Sequence, residues 1–338
     1  MKITGLKKEH FKLWNDLVRA CQGSGFMQSW EWSEFKEAEG AVVERLGVFD
    51  GEKLVAGAMV YRVETSLGVS PLAMPHGPVL PWGDEALAGK CFSLLKARLE
   101  ELSARTGSPL ARFEPFIFSK PPFLAPALRS PLDLVPTPTL MVPLGGDDGA
   151  LLGNMTQKGR YNVRLALKKG VEVVSAPDNG LTGDFHELFE LTCCRHGFSG
   201  EPLGFFNRLM DALGPAGLAR VYLATYKGMP AAAAVAVFFG NRGTYLYGGT
   251  SPFLRSSMAS YAMHWRMMRD ARDLGLPLYD FYGVAPEDQP NHPYAKFSAF
   301  KARFGGALVR TIGAQDIYFY PQLARTLVAG MKLKGAHV

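Results

Sequence analysis

The chain has 338 residues, 47% hydrophobic and 20% charged, which is enough apolar surface for two ordinary domains of roughly 100–200 residues each. That composition excludes an unstructured chain and a small disulfide-stapled module. The net charge of +6, from 37 Lys and Arg against 31 Asp and Glu, favours anionic partners such as phosphates, nucleic acid or an acidic membrane surface.

No apolar run approaches the ~18–20 residues of a membrane helix, and the start, MKITGLKKEHFKLWNDL, lacks the apolar stretch of a secretion signal. A cytoplasmic protein is expected. Cys21, Cys91, Cys193 and Cys194 form no CxxC and are expected to be reduced thiols, with neither a disulfide framework nor zinc.

In chain order, VVERLGVFDGEKLVAGAMVYRV (Val42 to Val63) reads as two apolar runs closed by an Asp50-Gly51 turn, a hairpin. Leu87, Cys91, Leu94, Leu95, Leu99 and Leu102 follow at helical spacing, and GSPLARFEP (Gly107 to Pro115) is a short buried strand entered from a turn. Residues 119–149 are dense in proline, which removes backbone donors and predicts an extended connection. The same order of elements then recurs. LARVYLATYKGMPAAAAVAVFFG (Leu218 to Gly240) is a second hairpin, turning at Lys227-Gly228, and Met258, Tyr261, Ala262, Trp265 and Met268 mark a helix. GLPLYDFYG (Gly275 to Gly283) matches GSPLARFEP at Gly107/Gly275, Pro109/Pro277, Leu110/Leu278 and Phe113/Phe281. Strand, turn, strand, strand, helix, strand, repeated at about half the chain length, predicts a duplicated α/β domain. Further on, Leu323, Leu327, Val328 and Met331 predict a terminal helix with Lys332 and Lys334 at its end, packed on the protein or with that end near anionic lipid.

No P-loop, GxGxxG, HExxH or GxSxG motif occurs, which sets aside nucleotide and zinc hydrolases. The seven histidines are scattered and read as structural or surface groups. Four constellations remain. In QKGRYNVRLALKKGV (Gln157 to Val171) a helix puts Arg160, Arg164 and Lys168 on one stripe, suited to a phosphate backbone or to plain solvation. YLYGGT (Tyr245 to Thr250) is expected to put Tyr245 and Tyr247 on one side of a strand, ahead of glycines that let a ligand approach the backbone; ordinary cross-strand packing is the alternative. Asp280, among the aromatics of YDFYG, is a proton acceptor, an amine binder or half of a structural ion pair. Lys301, in FKARFGG (Phe300 to Gly306), is either a group that steadies a phosphate or oxyanion or a surface lysine.

FMQSWEWSEFK (Phe26 to Lys36), MPHGPVLP (Met74 to Pro81), ARFEP, KGRYNVRLALKKGV, TCCRHGF (Thr192 to Phe198), YLYGGT, YDFYG and FKARFGG, in this order, resemble the Fem family of peptidoglycan peptidyltransferases. The resemblance implies an α/β (α+β) fold of two tandem Gcn5-acetyltransferase-like domains, with mixed sheets flanked by helices and without the helical arm of some members. Residues 1–143, with 312–338 packing back onto them, are expected to form the first domain and 144–311 the second. The implied reaction is aminoacyl transfer from aminoacyl-tRNA, a co-substrate, to the stem peptide of a lipid-linked or UDP-linked muramyl pentapeptide, with no cofactor and no metal. A cytoplasmic monomer is expected, with peripheral contact at the inner face of the membrane left open.

By the same resemblance, Lys36 matches a lysine that holds the precursor's diphosphate, and Tyr245 and Tyr247 match tyrosines lining the precursor channel. Phe300 and Lys301 match the pair at the aminoacyl-tRNA end, and Glu114 stands where the family usually has an aspartate beside the transferring amine. Lys301 is thus expected to stabilise the oxyanion, Glu114 and Asp280 to orient or deprotonate the amine, and Arg160, Arg164 and Lys168 to meet tRNA phosphates. The chain departs from the pattern at Glu201 and Phe205, where an arginine and a tyrosine are common, and at His76, where arginine often precedes Gly77-Pro78. An acyl-CoA N-acyltransferase on the same fold and a non-catalytic precursor-binding homologue are the rival readings.

Overall fold

The structure, a computed structural model, describes residues 1–65, 69–286 and 295–320; the helix expected from Pro321 lies outside them. The chain divides into two compact units, residues 1–137 with the chain from Arg310, and residues 138–309.

The first unit contains β1 (Lys2–Gly5), α1 (Phe11–Ala20), α2 (Trp30–Ala38), β2 (Val43–Asp50), β3 (Lys53–Arg62), β4 (Leu72–Pro75), α3 (Glu85–Thr106), β5 (Leu110–Glu114) and β6 (Leu128–Arg129). The second contains β7 (Thr139–Pro143), α4 (Asp148–Asn154), α5 (Gln157–Lys168), β8 (Glu172–Ala176), α6 (Thr182–His196), α7 (Leu203–Leu213), β9 (Ala219–Tyr226), β10 (Met229–Phe239), β11 (Arg242–Thr250), α8 (Ala259–Asp273), β12 (Leu278–Gly283), α9 (Ala295–Lys301) and β13 (Ala307–Val309). The chain then adds β14 (Gln315–Tyr318) to the first unit.

The predicted repeat is present. In the first sheet β2, β3 and β4 are antiparallel neighbours and α3 carries the chain to a parallel β5; in the second β9, β10 and β11 are antiparallel neighbours and α8 leads to a parallel β12. Gly107 and Gly275 each follow one of these helices with φ of 68° and 78°, a left-handed turn that glycine adopts without steric cost. The full orders, β1-β2-β3-β4-β5-β14-β6 and β8-β9-β10-β11-β12-β7-β13, superpose position by position.

That correspondence moves the expected domain boundary. β7, placed by sequence in the first domain, pairs with β12 and β13 of the second sheet, and β14 enters the first sheet between β5 and β6. Each sheet therefore takes its sixth strand from the chain segment that follows the other repeat. The proline-rich connection is broken by a 3-10 turn at Pro122–Leu124, then contributes β6 and β7 and runs into the start of α4.

In the first unit α3 covers one face of the sheet, where Leu46, Val48, Val60, Met74 and Phe113 pack on Cys91, Leu95, Leu99 and Leu102. The opposite face carries a row in register, Tyr61, Ala73, Arg112 and Asp316, across β3, β4, β5 and β14. Arg112 donates from Nε (2.8 Å) and Nη2 (2.9 Å) to the two carboxylate oxygens of Asp316, both residues being buried. In the second unit α5 and α8 cover one face, and α6 and α7 carry a separate aromatic cluster of Phe185, Phe189, Phe205 and Phe206. Only residues 197–202 separate α6 from α7, so no arm intervenes. All four cysteines are free thiols, and no described helix is long and apolar enough to cross a membrane.

Removing one half of a buried ion pair strands the other charge. Arg112→Ala is expected to cost about 3–5 kcal/mol in urea unfolding, whereas Arg112→Met combined with Asp316→Leu recovers most of that loss.

Candidate functional site

In the second unit, β11 and β12 pair in parallel only at Arg242/Leu278, Gly243/Tyr279 and Thr244/Asp280. Beyond those pairs β11 runs on to Thr250 and β12 to Gly283. The reactive candidates gather around this end of the ladder. Tyr282 has φ of 60°, a left-handed conformation that is costly for a bulky residue, and the β7 register shifts between Asp280 and Gly283. Asp280 holds the bulge: its Oδ1 accepts from the Tyr282 N–H (2.8 Å) and from the Thr139 hydroxyl. The bulge presents the Gly283 carbonyl, which accepts from Lys301 Nζ at 2.7 Å.

Lys301 ends α9, with its ammonium 5.7 Å from the centre of the Tyr245 ring, within cation–π range. Burial pushes its pKa down to about 8, while the Asp280 charge pulls it back up. Burial likewise raises Asp280 above the usual carboxylate range, opposed by Arg242, Thr139, the Tyr282 N–H and Lys301. Burial pushes the Tyr245 phenol up to about 12. One oxygen of this carboxylate, Oδ1, is thus taken up by its own backbone and Thr139. Asp280 thereby braces the bulge that carries the acceptor for Lys301.

His264, on α8, is a residue that sequence reasoning passed over. It is buried, its ring lies 4.6 Å from Tyr245, 4.8 Å from Phe281 and 5.5 Å from Phe300, and its Nδ1 meets the Tyr279 hydroxyl at 2.9 Å. Burial and the neighbouring Lys301 charge push its pKa down to about 3, so it stays neutral and packs as an aromatic. Phe300 belongs to the same cluster, at 5.1 Å from Tyr261 and 5.4 Å from Phe304.

Tyr245 and Tyr247 do not share a side of the strand. A bulge puts Tyr245 opposite Ala236 and Tyr247 opposite Val235, adjacent residues of β10 that face opposite ways. Tyr245 accordingly packs on His264 of α8, whereas Tyr247 packs at 5.2 Å on Phe206 and 5.9 Å on Phe189. Phe205, in place of the usual tyrosine, is 6.0 Å from Tyr247 in the same cluster. The following glycines serve packing. A Cβ on Gly248 would lie 1.8 Å from the Tyr245 hydroxyl, and one on Gly249 would lie 2.4 Å from the α6 backbone.

The α5 stripe is divided. Arg160 turns back, its Nη1 donating to the carbonyls of Met155 (2.5 Å) and Gly153 (3.3 Å), while Arg164 and Lys168 stay exposed. Glu114 lies in the first unit, on β5. Its oxygens accept from the N–H groups of Leu134 (2.7 Å) and Val135 (2.5 Å), anchoring the connection beyond β6. Burial pushes its pKa up to about 8 against those two donors and Arg112. Lys36, on α2, is half-buried with its ammonium 5.5 Å from the Tyr61 ring centre and 5.2 Å from that of Phe35. His76 is buried, 5.0 Å from Phe26. Among the described residues no cluster of His, Cys, Asp or Glu is arranged to hold a metal ion.

With this geometry in hand, known proteins give the context. The model of the FemAB family matches residues 6–118, 144–227 and 222–328. The chain belongs to the FemAB family. A lipid II:glycine glycyltransferase of Staphylococcus haemolyticus is 22% identical, the match covering 94% of this chain and 92% of that protein, and one from Staphylococcus aureus is 22% identical with the same coverage. The crystal structure of FemX superposes with a TM-score of 0.84 at 19% identity, covering 97% of this chain and 100% of that one. A tandem GNAT protein from the clavulanic acid pathway reaches 0.56 at 14% identity, covering 95% and 99%. The FemAB fold is thus two tandem acetyltransferase-like units.

Because Lys301 is protonated at neutral pH against its burial, it costs stability there. The folded pKa lies below the ordinary lysine value of 10.5, so stability contributed by this group rises as pH climbs from about 8 towards 10.5. Lys301→Met is expected to raise the thermal midpoint at pH 7, with the gain over wild type shrinking as the pH approaches 10.5.

Proposed function

We propose that the protein is an aminoacyltransferase that adds an amino acid to the stem peptide of a peptidoglycan precursor, with aminoacyl-tRNA as donor. An amine of the stem peptide attacks the ester carbonyl carbon, the new C–N bond forms, and the C–O bond to the RNA 3′ oxygen breaks. The proton lost by the amine is taken up by the departing oxygen. The ester supplies the driving force, so positioning and charge stabilisation are what the protein must add.

The observation that carries this reading is Lys301: a desolvated ammonium fixed by the Gly283 carbonyl over the Tyr245 ring, in a chain of the FemAB family. In a low-dielectric setting such a cation stabilises a tetrahedral oxyanion more strongly than it would in water. Tyr245 and Phe300 form the walls of this position. Asp280 sets it through the bulge. Lys36 supplies a cation for the diphosphate of the acceptor, and Arg164 and Lys168, without Arg160, supply phosphate contacts for the RNA. Glu114 is assigned to holding the connection beyond β6 and to no chemical step.

The test is transfer of radiolabelled amino acids from a pool of charged tRNA to lipid-linked and UDP-linked precursors. Wild-type transfer and a roughly 10²–10³-fold loss of kcat in Lys301→Ala are expected. Turnover of acyl-CoA with neither acceptor labelled would overturn the reading. In Asp280→Asn, loss of the charge that lifts Lys301 should move the alkaline limb of the kcat profile to lower pH.

A further inference from the structure

We infer that a second cationic cluster in the same unit, Arg195, Arg255 and Lys296 around His196, with the exposed ring of Phe253, is the binding site for the single-stranded 3′ end of the donor RNA. The inference rests on the aminoacyl-tRNA reading above. It assigns residues that the α5 stripe does not include.

The cluster is built from three segments. Arg195 and His196 close α6, Arg255 lies in the turn between β11 and α8, and Lys296 stands in the first turn of α9. Arg195 is held entirely by uncharged groups: its Nη1 donates to the Thr250 carbonyl (3.1 Å), its Nη2 to the Thr250 (2.9 Å) and Thr192 (3.2 Å) hydroxyls, and its Nε to His196 Nε2 (3.2 Å). Its charge is therefore fixed in place but not neutralised. Among the described residues none of Arg195, Arg255 and Lys296 has an ion-pair partner, and all three charges bear on His196, which they and burial hold below the usual histidine range. Three cations gathered without a counter-charge cost folding energy, and an external polyanion relieves that cost.

Two further features favour RNA. Phe253, two residues from Arg255, is 85% exposed, the most exposed large apolar side chain among the described residues. Unpaired bases are held by stacking on such rings beside a basic track. The cluster is also continuous with the proposed oxyanion position: Phe297 packs on His196 at 4.6 Å, and Lys296 precedes Lys301 on α9 by about 7.5 Å of helix axis. An RNA whose 3′ ester sits at Lys301 passes Lys296 within its last few nucleotides.

The experiment is fluorescence anisotropy with a fluorescein-labelled, uncharged RNA minihelix carrying a single-stranded 3′ tail, titrated from 50 to 200 mM salt. Arg255→Glu with Lys296→Glu should weaken binding at least tenfold and flatten the slope of log affinity against log salt by roughly 1.5. Phe253→Ala should weaken it about tenfold with the slope unchanged. Lys90→Glu with Lys96→Glu, the same charge change on exposed α3 positions, should do neither. Affinity and slope unchanged in the cluster variants would overturn the inference, as would a loss confined to binding of phosphatidylglycerol vesicles. The transfer assay separates the two claims. Wild-type transfer with an unaltered KM for charged tRNA in the cluster variants sinks the site and spares the reaction. Absent transfer with cluster-dependent RNA binding sinks the reaction and spares the site.

Discussion

The parting of β11 and β12 is the constraint from which the second unit's chemistry follows. Parallel strands joined by a helix ordinarily stay paired along their shared length, as β4 and β5 do from Leu72/Ala111 to Pro75/Glu114. In the second unit pairing ends at Thr244/Asp280, and backbone groups beyond that point must find other partners. The Tyr282 N–H finds Asp280, and the Gly283 carbonyl finds Lys301. A buried lysine is thereby bonded without a carboxylate in direct contact, which leaves its charge available to a reacting group. Asp280 compensates the site at one remove: it is close enough to hold the lysine protonated and is restrained by Thr139 from closing a salt bridge.

The first unit uses the same topology for a different end. The position of Asp280 in the repeat is filled there by Arg112, and the inserted strand β14 answers it with Asp316. A bidentate pair with both partners desolvated is costly to assemble from water and costly to break by halves. Its consequence is specificity of pairing: β14 is the strand that neutralises Arg112, so the segment from Gln315 is matched to the slot between β5 and β6. The second sheet makes the corresponding match with the Thr139 hydroxyl of β7 on Asp280. The equivalent strand position thus carries a structural ion pair in one copy, with the residue directly opposite, and in the other a hydrogen bond to Thr139, two residues along β7 from the opposing Met141.

Much of this was legible in the sequence because repeats, turns and periodicity are local signals. Gly107 and Gly275, the two hairpin turns and the leucine spacing of α3 gave the duplicated architecture. What escaped depended on register or on partners far along the chain. The facing of Tyr245 and Tyr247 was misjudged because strict alternation holds only without a bulge, and Leu246 is revealed as the extra residue only by the pairing with Val235 and Ala236 of the neighbouring strand. Arg160 sits at the right helical spacing but within reach of the last carbonyls of α4. Glu114 was singled out by the resemblance alone, and nothing local announced Leu134 and Val135 as its donors. The strand exchange that moved the boundary from 143 to 137 requires knowing which edge β7 fills. His264 was passed over as one of seven scattered histidines; its clue was an apolar helix face, Ala262, Trp265 and Met268, running past it.

The aromatic environment accounts for how one unit keeps a strained bulge and a desolvated cation in place. Tyr245, Phe300, Phe304, Phe281 and Tyr279 surround His264, and burial holds that imidazole neutral. A protonated histidine there would place a second cation against Lys301, which the low dielectric would penalise heavily. Replacing it by an aliphatic residue would remove the ring that supports Tyr245 and the hydrogen bond to Tyr279. A neutral histidine satisfies both demands: a ring that packs edge-to-face on Tyr245, polar enough to anchor a buried phenol, and uncharged beside the lysine. The face of Tyr245 presented to the Lys301 ammonium is thus fixed from behind by a group whose role depends on its never becoming charged.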